Sequence, residues 1–233
     1  FVTFLLAPDT ASRAARRSPS MERPPDDVVV SIQRQEARPV LKLAAEWGMP
    51  VSSIADLAEP PSILSPEALE ALFGAVPIVR PLATREALYT YLASRRPSDT
   101  VARLLLARFL QVDVERDRGM GSERECLLSV LEAYHAKVAD PELVAQIFHD
   151  PRHEDVAGLA ALVLYKSKYD RALLAADVIS RLGSRKNLGY MLQLATKLKL
   201  AEALPLMDEI AADRDERFQS EAREEARRLR RRL

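Results

Sequence analysis

The chain has 233 residues, 48% of them hydrophobic, and this length permits one domain or two small ones. Lys plus Arg and Asp plus Glu number 34 each, so no net field draws the whole molecule toward nucleic acid or an anionic membrane. Only 7 glycines and 6% aromatic residues accompany many alanines, leucines, glutamates and arginines, a composition that favours helices over turns and sheets.

Residues 1–27 are predicted to be a disordered leader, because residues 7–27 are rich in Pro, Ser, Arg and Asp. The apolar run at residues 1–7 (FVTFLLA) is too short to span a bilayer. It is interpreted either as the remnant of a signal peptide or anchor, or as an extension without function, and the second is favoured. Cys126 is a single cysteine and cannot form an intrachain disulfide. We therefore expect a soluble, cytoplasmic protein with no transmembrane span.

An N-terminal helical set is predicted over residues 28–116. Its first helix, residues 38–47, places Val40, Ala44 and Trp47 on one apolar stripe. A second helix begins after Ser65, whose hydroxyl can cap the free N–H groups ahead of a proline.

The connection that follows, residues 74–81, holds two prolines and is predicted to be an extended connector rather than a strand. Thr84 is expected to cap the next helix, and Ser98 the one after it. The helix after Ser98 carries apolar residues around more than one side, which predicts a central position in the fold.

A domain boundary is predicted at residues 117–121 (DRGMG), where two glycines lie close together among charged residues. The second helical set then covers residues 122–233. Ser122 and Glu125 have the spacing of a capping box, and the apolar stripe behind them includes Leu127 and Leu131.

Further helices are predicted to open at residues 140–142 (DPE) and at residues 153–155 (HED). Residues 169–182 form a helix with two apolar faces, which implies neighbours on both sides. The larger face is expected to contain Ala172, Ala175, Ala176, Ile179 and Leu182, and the other Leu174 and Val178. The last helix is expected to begin near residue 213.

One segment resembles a known repeat unit. Leu188-Gly189-Tyr190, followed by residues 199–204 (KLAEAL), resembles the helix–turn–helix unit of tetratricopeptide or HEAT-like helical repeats, over about residues 187–212. The spacing departs from a 34-residue period and no second copy is in register. The resemblance implies an all-α fold, either an irregular multi-helix bundle or a short α-solenoid of antiparallel helices.

The densest group of potential metal ligands lies at residues 149–155 (HDPRHED). Pro151 interrupts any helix that would place His149 and His153 on one face, so a helix-to-helix turn with solvated histidines is favoured over a metal site. A metal-dependent hydrolase would need further ligands, for which His135 and Asp170 or Asp177 are the candidates. Sequence motifs for phosphate loops, nucleophile elbows, redox dithiols and dinucleotide binding are absent from the sequence.

The C-terminal end of the last helix contains five arginines that could contact a partner or nucleic acid: Arg227, Arg228, Arg230, Arg231 and Arg232. Cations at a helix C-terminus are also stabilised by the helix dipole. Acidic residues one turn earlier would repel phosphate, and Glu224 has the spacing to pair with Arg228.

These patterns predict a non-enzymatic protein-binding or scaffold module that uses a helical groove or face and no cofactor, with another protein or peptide as its partner. The first alternative is a nucleic-acid-binding helical protein that uses the arginine-rich helix. The second is a metal-dependent hydrolase at residues 149–155.

Overall fold

The computed structural model of the protein describes residues 35–49, 51, 53–57, 65–93, 98–117, 122–213 and 216–233. Over these ranges the fold is all-α and contains no strand. The predicted leader at residues 1–27 and most of the predicted boundary, residues 118–121, lie outside the described residues.

The described ranges hold eleven α-helices, short 3-10 turns and one π-helical segment. The α-helices are α1 (Arg38–Glu46), α2 (Pro66–Ala75), α3 (Leu82–Ala93), α4 (Asp99–Gln111), α5 (Glu123–Val130), α6 (Pro141–His149), α7 (Ala157–Lys166), α8 (Arg171–Gly183), α9 (Leu188–Leu198), α10 (Leu204–Ala212) and α11 (Gln219–Arg230). The π segment Leu131–His135 continues α5, and 3-10 turns lie at Ile54–Leu57, Val76–Ile78, Ala136–Val138, Pro151–His153 and Ala201–Ala203.

Side-chain caps start several of these helices, because the first backbone N–H groups of a helix have no partner within it. The Oγ of Ser65 accepts a hydrogen bond from the N–H of Ala68 at 3.2 Å. The Oγ of Ser122 accepts one from the N–H of Glu125 at 3.1 Å. Ser98 caps α4 in the same way. These three predicted helix starts are confirmed.

Three local predictions are wrong. Thr84 does not cap α3, which begins at Leu82; its buried hydroxyl donates instead to Glu36 Oε2 at 2.5 Å. The proline-containing connector includes a 3-10 turn rather than being extended throughout. Trp47 follows the end of α1 and leaves 45% of its surface exposed, so it does not belong to the buried stripe.

The starts of two further helices, α7 and α11, also differ from prediction. Residues 153–155 do not open α7, which begins at Ala157 without a side-chain cap. Helix α11 begins at Gln219, and part of the stretch before it, residues 214–215, lies outside the described residues.

The second half of the chain forms two layers of helices. Helices α5, α7, α9 and α11 lie side by side in the first layer, and α6, α8 and α10 pack against them as the second layer. Helix α7 is central, because its side chains are buried from Ala157 to Leu164. No described helix is both long and apolar enough to cross a membrane.

The helices of the first layer run in the same direction. Near their beginnings, the ring of Tyr190 in α9 lies directly over Gly158 in α7. Near their ends, Lys197 in α9 approaches the ring of Tyr165 in α7. Helix α11 follows this pattern, because Arg232 just past its end contacts the carbonyl of Thr196 near the end of α9. The C-terminal ends of α7, α9 and α11 therefore meet at one end of the molecule.

Helices α3 and α4 from the first predicted set pack against α5 at the start of the second. The buried side chains of the described residues form one hydrophobic cluster that includes both sets. The polar groups at this junction make up much of the candidate functional site.

Candidate functional site

The five predicted contact residues lie at the end of α11, where Ala222, Ala226 and Leu229 form the buried stripe. Arg228 is held by two carboxylates of its own helix, Glu224 and Glu225. The predicted pairing of Glu224 with Arg228 is therefore present in the structure. The buried position of Glu225 ties this ion-pair cluster to the core side of the helix.

The other four arginines differ in their partners. Arg230 pairs with Asp208 of α10, which joins α11 to its neighbour. Arg231 and Arg232 donate to the backbone carbonyls of Arg227 and Thr196, at 3.3 and 3.5 Å. Arg227 is exposed and forms no ion pair with any described carboxylate. Two of the five guanidiniums are thus neutralised by acids, and the remaining charge lies toward the end of α9.

The predicted ligand cluster at residues 149–155 does not gather around one point. His149 is exposed and lies 3.4 Å from Asp177 of α8, whereas His153 is buried on the other side of the turn. Asp150 is bound by Arg152, and the hydrogen bonds from that residue lower the pKa of Asp150 to about 2. Within the described ranges, no group of three or more His, Cys, Asp or Glu residues could hold a metal ion.

The additional hydrolase candidates lie in separate places. His135 is buried at the α3–α4 junction, Asp170 caps α8, and Asp177 pairs with His149. Of the nominated residues, the structure pairs His149 with Asp177 and places His153 and Asp155 on a shared partner, Arg124. The prediction that the histidines of this turn are solvated is wrong for His153, since it packs 5.0 Å from the ring of Phe109.

The most extensive polar feature of the described residues is centred on Arg124, which is fully buried. Its guanidinium donates to both carboxylate oxygens of Asp155, at 3.2 and 2.6 Å, and to the backbone carbonyl of Asp117 at 2.8 Å. It also lies 3.2 Å from Nδ1 of His153 and from the carboxylate of Asp117. We call these four residues the Arg124 network.

The contact with the Arg124 guanidinium determines the protonation state of His153. A guanidinium can only donate hydrogen bonds, so Nδ1 of His153 must accept and the imidazole must be neutral. Burial lowers the pKa of His153, and the positive charge of Arg124 adds to this effect, although Asp150 opposes it. The network thus joins Asp117, the first residue of the predicted boundary, to α5 and to the turn before α7.

A second buried network lies beside it, around Glu123. The Glu123 carboxylate accepts from the Tyr89 hydroxyl at 2.7 Å and from Arg108 Nε at 2.9 Å. Arg85 approaches its other oxygen at 3.3 Å. Burial and the Glu123 carboxylate raise the pKa of Tyr89. The Glu123 network therefore joins α3, α4 and α5.

His135 forms a third polar contact between the two sets. Its Nδ1 accepts from the backbone N–H of Ser98 at 3.1 Å, so its Nε2 carries the proton and donates to the carbonyl of Ala93 at 2.7 Å. The ring thereby bridges the end of α3 and the start of α4. Burial lowers the pKa of His135.

Sequence reasoning missed these three networks. Their partners lie 7 to 42 residues apart in sequence, and no spacing rule for one helix relates them. One signal was available: Glu123 and Arg124 follow Ser122 directly and lie on the core side of a helix with a strong apolar stripe. Charged residues at such positions are almost never fully buried unless they are paired.

Cys126 lies in α5 close to the Glu123 network. Burial is the main cause that raises the pKa of its thiol, with contributions from Glu86 and Glu123. A thiol with a raised pKa is protonated near neutral pH and is a poor nucleophile. Cys126 packs against the hydrophobic core and is better suited to that role than to nucleophilic chemistry.

The outer surface of α8 differs from prediction. The buried face consists of Leu174, Val178 and Leu182. Of the alanine-rich face predicted beside it, Ala172 and Ala176 are exposed, whereas Ile179 packs partly against the core and Leu182 is buried. Leu173, which belongs to neither predicted face, leaves 56% of its surface exposed. Leu174, Val178 and Leu182 are four residues apart and therefore lie on one side of α8, which is the side that packs against the first layer.

The exposed residues Ala172, Leu173, Ala176 and Ser180 form what we call the α8 face, and none of them is charged. The contrast with α11 is large, because its exposed positions carry Glu221, Arg223, Glu224, Arg227 and Arg228. In a chain with 29% charged residues, an uncharged helix face is an unusual surface.

The chain was compared with known proteins at three levels. No family model matches it, and neither the comparison with curated proteins nor that with solved structures returned a match. Its function therefore has to be inferred from its own residues.

Proposed function

We propose that the protein is a non-enzymatic protein-binding module and that the α8 face binds a helix of a partner protein. The observation that carries this proposal is the lack of charge on the α8 face together with the exposure of Leu173. Exposed apolar surface without charged neighbours is typical of protein-interaction sites.

The side chains of the α8 face favour a helix as the bound element. Ala172, Ala176 and Ser180 are four residues apart and form a row of small side chains. A row of this kind is a shallow groove into which the side-chain ridge of a second helix can pack closely. Leu173 beside the row supplies an apolar contact whose full burial is worth about 1.5–3 kcal/mol.

The surroundings of the α8 face are held in place by ion pairs. Asp177 on the same helix pairs with His149 of α6. Arg181 pairs with Glu154 at 2.8 Å and stacks over the ring of Phe148. These contacts hold α8 against α6 and the turn before α7, so its outer face is preorganised and little ordering entropy opposes binding.

The test uses a photo-crosslinking amino acid at position 173, introduced into the chain in a lysate of its own organism. We expect one dominant crosslinked protein partner. Ala176→Glu should abolish this crosslink because it places a buried, unpaired charge in the interface. Ser220→Glu, on the charged face of α11, is the matched control and should leave the crosslink unchanged.

Two results would contradict the proposal. A crosslink that survives Ala176→Glu would show that the capture is nonspecific. The other is a dimer of the purified chain, detected by light scattering and crosslinked through position 173. This result would show that the α8 face binds a second copy of the chain rather than a partner protein.

A further inference from the structure

The ends of the first-layer helices contain a second surface, separate from the α8 face. There the ring of Tyr165, at the end of α7, lies between two cations. The guanidinium carbon of Arg171 is 4.4 Å from the ring centroid, and Nζ of Lys197 is 5.8 Å from it. We call these three residues the Tyr165 cluster.

The stacking prepares Arg171 to bind an anion. A guanidinium that lies over an aromatic face keeps the N–H groups at its edge free to donate, in a fork that matches two phosphate oxygens. Both Arg171 and Lys197 are exposed, and neither forms an ion pair with a described carboxylate. Their charges are therefore available to a ligand.

Two carboxylates close to the cluster through chain neighbours have other partners: Asp170 precedes Arg171, and Glu132 pairs with Lys166, which follows Tyr165. Asp170 accepts hydrogen bonds from the N–H groups of Ala172 and Leu173 as the cap of α8. Glu132 pairs with Lys166 at 2.6 Å. Neither acid forms an ion pair with Arg171 or Lys197.

More positive charge extends from the cluster toward α11. Arg232 contacts the carbonyl of Thr196, the residue before Lys197. Lys168 and Lys199 are exposed and follow the ends of α7 and α9. The cations thus continue across the ends of neighbouring parallel helices rather than surrounding one pocket.

Helix dipoles do not explain this whole arrangement. The C-terminal ends of α7 and α9 attract cations, but Arg171 lies in the first turn of α8, where the dipole favours anions. Arg171 is held there by the ring of Tyr165, against the preference of its own helix.

We propose that the Tyr165 cluster, extended by Arg232, Lys168 and Lys199, binds the phosphate backbone of a nucleic acid. A row of cations matches a line of phosphates, whereas a single phosphorylated side chain would need one pocket. This surface shares Arg232 with the predicted arginine site but is centred elsewhere, and Arg228 and Arg230 of that site are paired with acids. It does not depend on the protein-binding proposal.

The test is fluorescence anisotropy with labelled single-stranded RNA and double-stranded DNA, titrated with the full chain at several salt concentrations. We expect micromolar binding at low salt and a slope of log K against log salt of about −3 to −4.5 for duplex DNA and about −2 to −3.5 for single-stranded RNA, as for three to five phosphate contacts. Arg171→Gln with Lys197→Gln should weaken binding about tenfold or more and reduce the slope by about 2.

Two further sets of substitutions test whether binding depends on the position of the charges in the cluster or only on the net charge of the chain. Tyr165→Leu should weaken binding less and leave the slope nearly unchanged, because it removes the stacking platform and keeps both charges. Lys42→Gln with Arg103→Gln removes the same net charge from exposed positions elsewhere and should change affinity less than twofold. Circular dichroism checks that each variant is folded.

Several outcomes would overturn the proposal. One is the absence of nucleic-acid binding at low salt. Another is an equal loss of affinity in the Lys42/Arg103 control. A third is binding only to a phosphopeptide or to phosphatidylserine vesicles, run as separate arms, which would assign the cluster to a different ligand. Leu173→Glu should bind nucleic acid as the unaltered chain does, so failure of either proposal can be recognised separately.

Discussion

The contact between α7 and α9 depends on a glycine. A Cβ atom added to Gly158 would lie 2.1 Å from Cδ2 of Tyr190, and 2.6 Å from Cγ of the same ring. Because Cγ is at the base of the ring, the clash cannot be relieved by a small movement of the ring's far end. Either the Tyr190 side chain must leave its position or the two helices must move apart.

We expect Gly158→Ala to destabilise the protein, and the magnitude follows from two opposing effects. Overpacking costs about 1–3 kcal/mol, and the severity of this overlap places the cost toward the upper part of that range. Replacing Gly by Ala inside a helix stabilises by roughly 0.5–1 kcal/mol. The net loss should be about 1–2 kcal/mol, which corresponds to a decrease in Tm of about 2–8 °C for a chain of this size.

Gly74→Ala is the matched control, because Gly74 also lies in a helix and no atom comes within 4 Å of the position that a Cβ would take there. Its Tm should rise by about 1–4 °C. In a Tyr190→Ala background the Gly158→Ala change should become neutral or stabilising, since the ring is gone. Thermal melts followed by circular dichroism measure all four variants. Equal destabilisation with and without Tyr190 would refute the proposed contact.

The other predictions concern the core and its buried polar groups. Leu127→Asp or Leu131→Asp should lower the free energy of unfolding by several kcal/mol, because each leucine is 1% exposed; an unchanged melt would contradict the assigned helix face. Arg124→Met should lower the free energy of unfolding in urea by about 1–3 kcal/mol, because Asp117, His153 and Asp155 lose their hydrogen-bond donor; a neutral effect would show that the network is dispensable. The pKa of both His135 and His153 is lowered in the fold, so below about pH 6.5 the unfolded chain binds more protons. Stability should therefore be level just above that pH and decrease below it, and changing both histidines to Gln should flatten this part of the profile; a slope unaffected by the change would assign it to other groups.

Much of the helical pattern could be predicted, because it depends on contacts between residues close in sequence. Ser65, Ser98 and Ser122 each begin a helix as expected, since a cap and its N–H partner are three residues apart. The pairing of Glu224 with Arg228 spans one helical turn and was predicted for the same reason. These interactions form in any helix with the same sequence.

Other expectations failed where a distant partner competes with a local one. Thr84 has a side chain suited to capping, but its hydroxyl bonds to Glu36, which lies 48 residues away. In α8, apolar residues on two faces predicted two neighbours, yet the first layer covers only the face of Leu174 and Val178. Sequence periodicity shows which residues can share a face, and it does not show which face is covered.

The sequence alone determined that this protein is all-α, where several of its helices start, and that Cys126 cannot support an intrachain disulfide. Only the tertiary structure decided that Arg124 is buried among Asp117, His153 and Asp155, and that Tyr165 lies between Arg171 and Lys197. The physical reason is the range of the interactions. Helix propensity and capping act within one or two turns, whereas buried ion pairs and stacked cations depend on how separate helices pack against each other.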